Sequence, residues 1–266
     1  MKALHAPLVR AQVYGEGEPA LDDPAELFHE ASKLHPALAQ RQAAGIARLE
    51  TSDVLKAAAA HPVRRNPLRR LHPLPRPTRP PCTLWSVVDR RRSRREFDGS
   101  ALRRADLATI LDTAYGVRRG ERRTVPSGGA LYPLELYAAV RHVDGVAPGV
   151  YRYDSELHAL EERELRNPWP ALETACPLTG LLRGGAAALL VLAVFGRTRF
   201  KYGQRGYRFA LLEAGHVVQN AVLAAAALDL PALPLGGYYD AQVDELVGAD
   251  GLEESVVYGL VLGGAR

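Results

Sequence analysis

Seven prolines fall between Pro62 and Pro81, and arginines are interleaved with them. Proline has no backbone N–H to donate and disfavours helical geometry at the residue before it. We therefore interpret this stretch as an extended connector. It divides the chain into two predicted domains: a helical extension with the connector at 1–81, and a larger domain at 82–266.

The larger domain alternates between helical and strand-like patterns. Its apolar run at 187–195 is typical of a strand covered on both faces. The predicted helices lie near 84–88 and at 105–114, 207–228 and 241–247, and the predicted strands at 134–140, 149–153, 187–195 and 255–262. Before the connector, helices are expected at 25–34, capped by Asp22 or Asp23, and at 38–60. The fold class is α+β, a mostly antiparallel central sheet surrounded by helices with one long central helix.

Arginines cluster at 64–79 and at 90–95 in a chain of formal net charge +4. Such clusters can bind nucleic acid or a phosphorylated ligand. No nucleic-acid-binding motif accompanies them, and prolines interrupt the first cluster. A phosphorylated ligand is therefore favoured, and nucleic acid is not expected as a partner.

Cys82 and Cys176 are the only cysteines, and neither has metal-ligand spacing around it. No disulfide framework is implied, so a reducing compartment is the default. The apolar runs at 186–195 and 221–228 are too short to span a bilayer, and the first ten residues lack the apolar core of a signal peptide. We expect a soluble, cytoplasmic protein with no membrane partner and no metal.

Two glycine- or arginine-rich motifs are suited to ligand binding. The run Arg91-Arg92-Ser93-Arg94-Arg95 offers guanidinium forks that match phosphate oxygens, although a solvated basic helix end has the same composition. Pro126-Ser127-Gly128-Gly129-Ala130-Leu131-Tyr132-Pro133 has adjacent glycines that let the backbone approach a ligand, although a plain turn explains them nearly as well.

Lys201 is one of only four lysines against thirty arginines. Arginine cannot give up its proton in a protein, whereas lysine can, and the next residue, Tyr202, can also carry a proton. The pair is a candidate for proton transfer, although one lysine has to fall somewhere. On the helix that follows, Glu213, His216 and Asn220 share one face, which fits a cofactor pocket, a subunit contact or a structural role.

A last motif, Gly236-Gly237, precedes a short helix and could donate backbone N–H groups toward a ring, or could be only a turn. Taken in order, the four motifs resemble the nitroreductase-fold flavoproteins. Within them they are similar to the SagB-type dehydrogenases, which act on thiazoline and oxazoline rings in peptide natural products. Residues 27–34 also resemble that family's opening segment, so the resemblance runs from about residue 27 almost to the C-terminus.

The resemblance implies a nitroreductase-like homodimer that binds FMN at the interface between its protomers. Arg91, Arg92, Ser93 and Arg95 of one protomer would hold the phosphate, ribityl and pyrimidine side. The other protomer would contribute Pro126, Ser127, Gly128, Gly129 and Leu131, while Gly236 and Gly237 would approach the ring near its reactive nitrogen. Many nitroreductases carry a basic pair near the C-terminus, whereas this chain has Arg266 alone, so phosphate binding by Arg266 is in doubt.

The resemblance also implies a role for Lys201 and Tyr202 in removing a proton from the azoline. Converting an azoline to an azole removes a proton and a hydride; FMN takes the hydride and a protein base takes the proton. Lys201 could serve if burial and neighbouring charge favour its neutral form, and Arg197, Arg199 and Arg205 are near in sequence. Tyr202 could relay the proton or orient the ring, and molecular oxygen would reoxidise the flavin.

Three functions are therefore compared. The first is FMN-dependent oxidation of thiazolines or oxazolines to thiazoles or oxazoles, on a ribosomal peptide or a carrier-bound nonribosomal intermediate, with a cyclodehydratase or carrier protein as a possible partner. The second is an NAD(P)H-dependent nitro- or quinone reductase, which has no need of a Lys-Tyr pair. The third is a flavin-free scaffold subunit that docks a cyclodehydratase or leader peptide through the connector, which Arg91, Ser93 and Arg95 argue against.

Overall fold

The computed structural model describes residues 24–34, 36, 46–55, 65–118, 122–178 and 180–264. Residues 1–45 and 46–266 form two compact units. The first contains helix α1 (Pro24–Ala31), which is shorter than the predicted 25–34. The Ser32 hydroxyl donates to the Phe28 carbonyl at the point where α1 ends. The predicted caps Asp22 and Asp23 lie outside the described residues.

The second unit contains the remaining elements. Residues 46–51 and 53–55 are helical, within the predicted helix at 38–60. The elements that follow are β1 (Leu71–Pro73), α2 (Leu84–Arg90), α3 (Arg104–Tyr115), β2 (Leu134–Val140), β3 (Gly149–Asp154), β4 (Ala159–Glu164), α4 (Trp169–Ala175), β5 (Ala187–Val194), α5 (Gly196–Tyr202), α6 (Gln204–Ala227), β6 (Ala232–Leu235), α7 (Asp240–Val247) and β7 (Glu254–Leu262). Strands β1, β4 and β6 and helices α4 and α5 were not predicted from the sequence.

The strands form one seven-stranded sheet in the order β1-β4-β3-β2-β5-β7-β6. Every neighbouring pair in it is antiparallel. The prediction of a mostly antiparallel sheet with a long central helix is therefore confirmed. The apolar strand β5 lies in the interior of the sheet, as its composition indicates.

Helices cover both faces of the sheet. Along β5, Leu189 and Val191 face a core shared with α3 and α6, whereas Leu190 and Leu192 face a second core shared with α4 and α7. Because successive strand residues point to opposite faces, a strand covered on both sides must be apolar throughout. Helix α6 buries mainly alanine and valine, and these small side chains allow it to lie close to the sheet.

Among the described residues, α6 is also long and apolar enough to cross a membrane by length and composition. Half of its most apolar window is buried inside the protein. Glu213 of this helix is also buried.

The described part of the proline-rich segment is packed onto the sheet. In β1, His72 pairs with Leu160 of β4, and the Leu74 amide donates to the His158 carbonyl at 2.9 Å. Just before β1, Arg65 Nε donates to Asp154 Oδ2 at 2.5 Å. Residues 71–73 are extended, as predicted for this segment, and form an edge strand of the same sheet, whereas residues 67–69 form a turn. The domain division at residue 81 stays a prediction.

Candidate functional site

The glycine loop, residues 126–133, is tightly curled. Gly128–Ala130 form one 3-10 turn, in which Gly129 has a φ of 65°. The Ser127 hydroxyl oxygen accepts from the Tyr132 amide at 2.9 Å and closes the loop. Ala130 and Tyr132 also have positive φ, a conformation that non-glycine residues adopt at a cost and that clusters at functional sites.

The glycine loop contacts the Lys201-Tyr202 pair. A Cβ built on Gly129 would lie 2.5 Å from Tyr202 Oη and 3.4 Å from Lys201 Nζ. Real Cβ atoms essentially never approach another atom to 2.5 Å, so the glycine leaves the space that the tyrosine hydroxyl occupies. The sequence assigned the glycines to a ligand; the structure shows that Gly129 also makes room for Tyr202.

Phe209 of α6 supports both parts of this cluster. The Tyr202 ring packs edge-on against the Phe209 ring, with centroids 5.0 Å apart. A Cβ on Gly128 would lie 3.1 Å from Phe209 Cδ2. Lys201 Nζ lies 5.5 Å from the centre of the Tyr202 ring, so both groups that can carry a proton lie together. Phe209 was not predicted as a site residue, because nothing in its spacing along the sequence separates it from an ordinary core residue.

Lys201 and Tyr202 are held on α5, a seven-residue helix between β5 and α6. The buried Thr198 hydroxyl donates to the Gly206 carbonyl at 3.0 Å and ties α5 to α6. A Cβ on Gly206 would lie 2.7 Å from the Thr198 backbone, so the close approach requires glycine there. The short helix is therefore fixed at its centre, with the candidate pair at its end.

A buried network of charges anchors the start of α5. Arg197 donates to Glu135 Oε1 at 2.6 Å, and Arg152 donates to Glu135 Oε2 at 3.3 Å. Arg152 also donates to Glu161 at 2.9 Å. From the sequence, the positive charge of Arg197 was expected to act on Lys201. In the structure Arg197 is paired with Glu135, so its charge near Lys201 is largely neutralised.

A buried carboxyl lies beneath the glycine loop. Glu213 of α6 is only 2% exposed, and its Oε1 accepts from the Tyr115 hydroxyl at 2.7 Å. Burial raises the pKa of Glu213 from 4.5 to about 7, against the opposing effects of the Ser127 and Tyr115 hydroxyls and the Arg123 charge. The predicted polar face of α6 is divided: His216 is exposed, and Asn220 donates to the carbonyls of Thr113 and Thr124.

The arginine motif lines a separate cavity of about 640 Å³. Its walls include Arg92, Ser93, Arg94 and Arg95, together with Leu228 and Asp229 at the end of α6. Arg94, which was not among the predicted binding residues, donates its amide to the Ala232 carbonyl at 3.0 Å. Arg91 caps α2 through its amide and is not among the residues that line this cavity.

The glycine loop and the arginine motif lie at opposite ends of α6. The loop meets Phe209 and Glu213, whereas the arginines meet Leu228 and Asp229. The helical rise from Phe209 to Leu228 is about 28 Å. The arginine motif and the glycine loop are the two predicted half-sites for the flavin. A single chain therefore does not bring these two half-sites together.

The remaining predicted binding residues are placed as follows. Gly236 and Gly237 follow β6, the strand that Arg94 contacts at its other end. A Cβ on Gly236 would lie 4.0 Å from the Tyr258 ring, and one on Gly237 would meet nothing within 4 Å. Pro126 is exposed and Leu131 half-buried in the glycine loop. Arg266 lies outside the described residues.

The sequence of the chain was compared with those of known proteins and families. The Nitroreductase family model matches residues 88–264. The Methanocaldococcus jannaschii protein named "Putative nitroreductase MJ1384" is 39% identical over 166 residues, which is 62% of this chain and 83% of that protein. The Escherichia coli microcin B17-processing protein McbC is 34% identical over 140 residues, 48% of this chain, and the match spans only 49% of McbC.

A solved structure extends the likeness of fold over nearly the whole chain. A chain of the E. coli microcin synthetase McbBCD complex, with truncated pro-MccB17 bound, superposes with a TM-score of 0.60. The superposition covers 97% of both chains at 24% sequence identity, so it supports the fold alone. With the family model matched over 88–264, these comparisons confirm the resemblance stated from the motifs: the chain belongs to the nitroreductase family.

Proposed function

We propose that the protein is an FMN-dependent oxidoreductase that converts thiazoline or oxazoline rings of a peptide into thiazoles or oxazoles. The observation that carries the proposal is the proximity of Gly129 to Tyr202 Oη and Lys201 Nζ, which lie 2.5 Å and 3.4 Å from the place that a Cβ on this glycine would take. It joins a loop assigned to the flavin with the only side-chain pair assigned to proton transfer. A reductase that exchanges hydride alone has no use for such a pair.

The residues present fit FMN. Arg92, Ser93 and Arg95 line a cavity large enough for a nucleotide-sized ligand, and the guanidinium groups match a phosphate; Glu96, Asp98 and Asp229 lie on the same lining, where Asp229 pairs with Arg94. We assign the phosphate, ribityl and pyrimidine side to Arg92, Ser93 and Arg95, which line the cavity, and to Arg91, which the resemblance implies although it lies outside that lining. The open backbone at Gly236 and Gly237 is assigned to the ring, and Pro126, Ser127, Gly128, Gly129 and Leu131 of the partner protomer to its other side.

The separation along α6 supports a homodimer. The two half-sites of one chain lie about 28 Å apart along the helix, so one complete site needs the arginine motif of one protomer and the glycine loop of its partner. A symmetric dimer would form two such sites. Lys201 and Tyr202 would then enter each site with the partner's glycine loop.

The chemistry divides between the flavin and the side chains. Aromatisation of an azoline releases one proton and one hydride, and bound FMN supplies the hydride acceptor. Lys201 Nζ or Tyr202 Oη receives the proton, and Phe209 holds the tyrosine ring edge-on in place. The packed cluster limits the orientations in which the azoline ring can present its proton to these groups. Molecular oxygen is the proposed reoxidant.

Relatives support a peptide substrate. McbC is named for the processing of microcin B17, and the McbBCD complex was solved with truncated pro-MccB17 bound. We extend from these an azoline-containing peptide substrate, with a cyclodehydratase or carrier protein as a possible partner. We also place the protein in the cytoplasm, without nucleic acid or membrane as a partner.

A second candidate is an NAD(P)H-dependent nitro- or quinone reductase. The M. jannaschii relative, which matches at higher identity, is named as a nitroreductase. The Lys201-Tyr202 cluster argues for the first candidate, but the two share the flavin site. A flavin-free scaffold is disfavoured because the arginine cavity is retained.

The test uses mass spectrometry of an azoline-containing peptide incubated with the flavin-loaded protein and oxygen. Loss of two hydrogens supports the proposal. Rapid NADPH oxidation with a nitroaromatic, and no change in the peptide, would favour the reductase. A protein that neither contains nor takes up FMN would contradict both enzymes.

Substitution of Lys201 tests its role directly. We expect Lys201→Ala to retain FMN and lose azole formation by about 100-fold or more, because the proton has no base at that position. The matched control is Lys33→Ala, an exposed lysine paired with Glu30 on α1, which should leave turnover unchanged. Normal turnover in Lys201→Ala would remove Lys201 from the mechanism.

A further inference from the structure

Helix α5 and the glycine loop meet at two places. At the start of the helix, the Arg197 side chain reaches the Tyr132 carbonyl. At its end, Lys201 and Tyr202 lie beside Gly129. The start of the helix thus contacts the end of the loop, and the end of the helix lies against the middle of the loop.

Strand pairing brings these two segments to the same end of the sheet. The glycine loop leads into β2, and β5 leads into α5. The two strands pair antiparallel, with Leu134 opposite Ala193, and the Val194 amide donates to the Pro133 carbonyl at 2.8 Å. Beyond this hydrogen bond both segments leave the sheet. Side chains must therefore fix how α5 is turned relative to the loop.

The two meeting places differ in kind. Beside Gly129, the Tyr202 hydroxyl fills the space that the glycine leaves, and no hydrogen bond joins Tyr202 to the loop among the described residues. At the other place, Arg197 Nη1 donates to the Tyr132 carbonyl at 3.4 Å, and only 6% of the arginine side chain is exposed. The polar connection between helix and loop is therefore at Arg197.

The Arg197 guanidinium uses two of its nitrogens on one segment of chain. Nη2 donates to Glu135 Oε1 at 2.6 Å, while Nη1 donates to the Tyr132 carbonyl. Both acceptors belong to the end of the glycine loop and the start of β2. A guanidinium presents its donors in a rigid planar fork, so two acceptors fix its orientation as well as its position. A lysine, with a single nitrogen on a flexible stem, would not fix the orientation in this way.

The orientation of Arg197 determines where the candidate pair lies. Lys201 is four residues further along and shares a face of α5 with Arg197, about 6 Å away along the helix axis. A rotation of α5 at Arg197 would therefore move Lys201 and Tyr202 relative to Gly129. The hydrogen bond from Thr198 joins α5 to α6 and leaves the loop uninvolved.

We propose that Arg197 is a positioning residue for the Lys201-Tyr202 pair: its fork, bound to Glu135 and to the Tyr132 carbonyl, sets how α5 is turned against the glycine loop. Arg197 acts through α5 and touches no reacting atom. Its effect on azole formation rests on the proposed function, whereas the fixing of α5 against the loop does not.

Arg197→Lys separates the fork from the charge. The variant keeps a positive charge beside Glu135 and loses the second donor nitrogen. We expect kcat for azole formation to fall by about tenfold, because the proton-accepting groups are less well oriented. The KM for the azoline peptide, the FMN content and the midpoint of urea unfolding should stay near the wild-type values. Steady-state kinetics and circular dichroism measure these quantities.

Arg152→Lys is the matched control. Arg152 shares the Glu135 carboxylate and is 2% exposed, and its other ion pairs are with Asp154 and Glu161, on neither α5 nor the glycine loop. This variant should lower the midpoint of urea unfolding and leave the turnover of each folded molecule unchanged. Equal losses of turnover in Arg152→Lys and Arg197→Lys would overturn the proposal, because the buried charges as a whole would then be responsible.

Hydrogen exchange by mass spectrometry tests the fixing of α5 without flavin or substrate. Peptides covering 125–133 and 196–203 of the full chain should exchange severalfold faster in Arg197→Lys than in the wild type, and at the wild-type rate in Arg152→Lys. Unchanged exchange in Arg197→Lys would overturn the proposal. If Arg197→Lys does not fold, Glu135→Asp replaces it with the same expectations, because it keeps the carboxylate and shortens the side chain by one methylene.

The two measurements together separate this inference from the proposed function. Faster exchange with unchanged turnover in Arg197→Lys would overturn the positioning role. A wild-type protein that forms no azole, but whose Arg197→Lys variant shows faster exchange, would contradict the proposed function and leave the fixing of α5 by Arg197 supported.

Discussion

At the scale of single residues, the absence of a side chain at Gly129 allows Tyr202 to occupy its position. We expect Gly129→Ala to displace Tyr202, because the new methyl group would lie 2.5 Å from Oη. Azole formation should fall by about 100-fold, the effect of an ångström-scale displacement of a reacting group. Steady-state kinetics with an azoline peptide measures it.

The matched control for that substitution is Gly248→Ala at the end of α7. Gly248 has a φ of 76° and no atom within 4 Å of a Cβ placed there, so alanine meets the same backbone strain, about 1 kcal/mol, without a collision. Equal loss of activity in the two variants would show that strain, and not the contact with Tyr202, is responsible.

Glu213 also gives stability a definite pH dependence. Its pKa rises from 4.5 to about 7 on folding, so the folded protein holds a proton that the unfolded chain has already released. Stability from this group is complete below pH 4.5 and is lost as pH rises to 7, by about 3 kcal/mol. Glu213→Gln should therefore gain stability over the wild type between pH 5 and pH 8. Urea unfolding at both pH values tests this, and a constant difference would contradict it.

At the scale of elements, the position of α5 depends on the Glu135 carboxylate. Glu135→Gln would remove the carboxylate that Arg197 and Arg152 share, and the side chains of both arginines are almost fully buried. We expect a loss of about 3 kcal/mol in the free energy of unfolding, since a buried charge without its partner is costly. Urea denaturation monitored by circular dichroism measures the loss.

An exposed pair provides the comparison for Glu135. Glu164 and Arg166 lie 3.3 Å apart with side chains 49% and 79% exposed. Glu164→Gln should cost less than about 1 kcal/mol. A similar cost at both positions would mean that the network does not anchor α5.

The elements that the sequence predicted are those with a clear apolar pattern. Strand β5 and helix α6 have such patterns, and both were found within a few residues. Strand β4 was missed because Glu161 and Glu162 look like a solvent-exposed segment, whereas the Glu161 carboxylate is buried against Arg152. Helix α5 was missed because its arginines and Lys201 give no apolar period.

At the scale of the whole molecule, the order of the motifs predicted the family and the candidate site residues. It did not predict which of these residues lie next to each other. The contact of Gly129 with Tyr202 depends on the fold bringing residues more than seventy positions apart together. The same is true of Tyr115 and Glu213. Such contacts join separate elements and leave no local spacing in the sequence.

The separation of the half-sites along α6 gives a test of the whole assembly. We expect Arg95→Ala and Lys201→Ala to be inactive alone and to recover about a quarter of the wild-type rate when co-expressed. Half of randomly paired dimers are mixed, and each mixed dimer keeps one intact site of two. Co-expressing Lys201→Ala with Tyr202→Phe should give no recovery. If co-expression of Arg95→Ala with Lys201→Ala gives no recovery, the arginine motif and Lys201 do not meet across a dimer interface.

The edge strand β1 has a consequence for any attempt to isolate residues 82–266 alone. A fragment starting at residue 82 would lack β1 and Arg65, exposing the backbone edge of β4 and leaving Asp154 only the longer contact with Arg152, at 4.0 Å. An open strand edge is a template for pairing with another chain. Such a fragment should aggregate, whereas one starting at residue 64 should remain dispersed. The expected role of the proline-rich segment is thus to keep the edge of β4 from pairing with the edge of another chain.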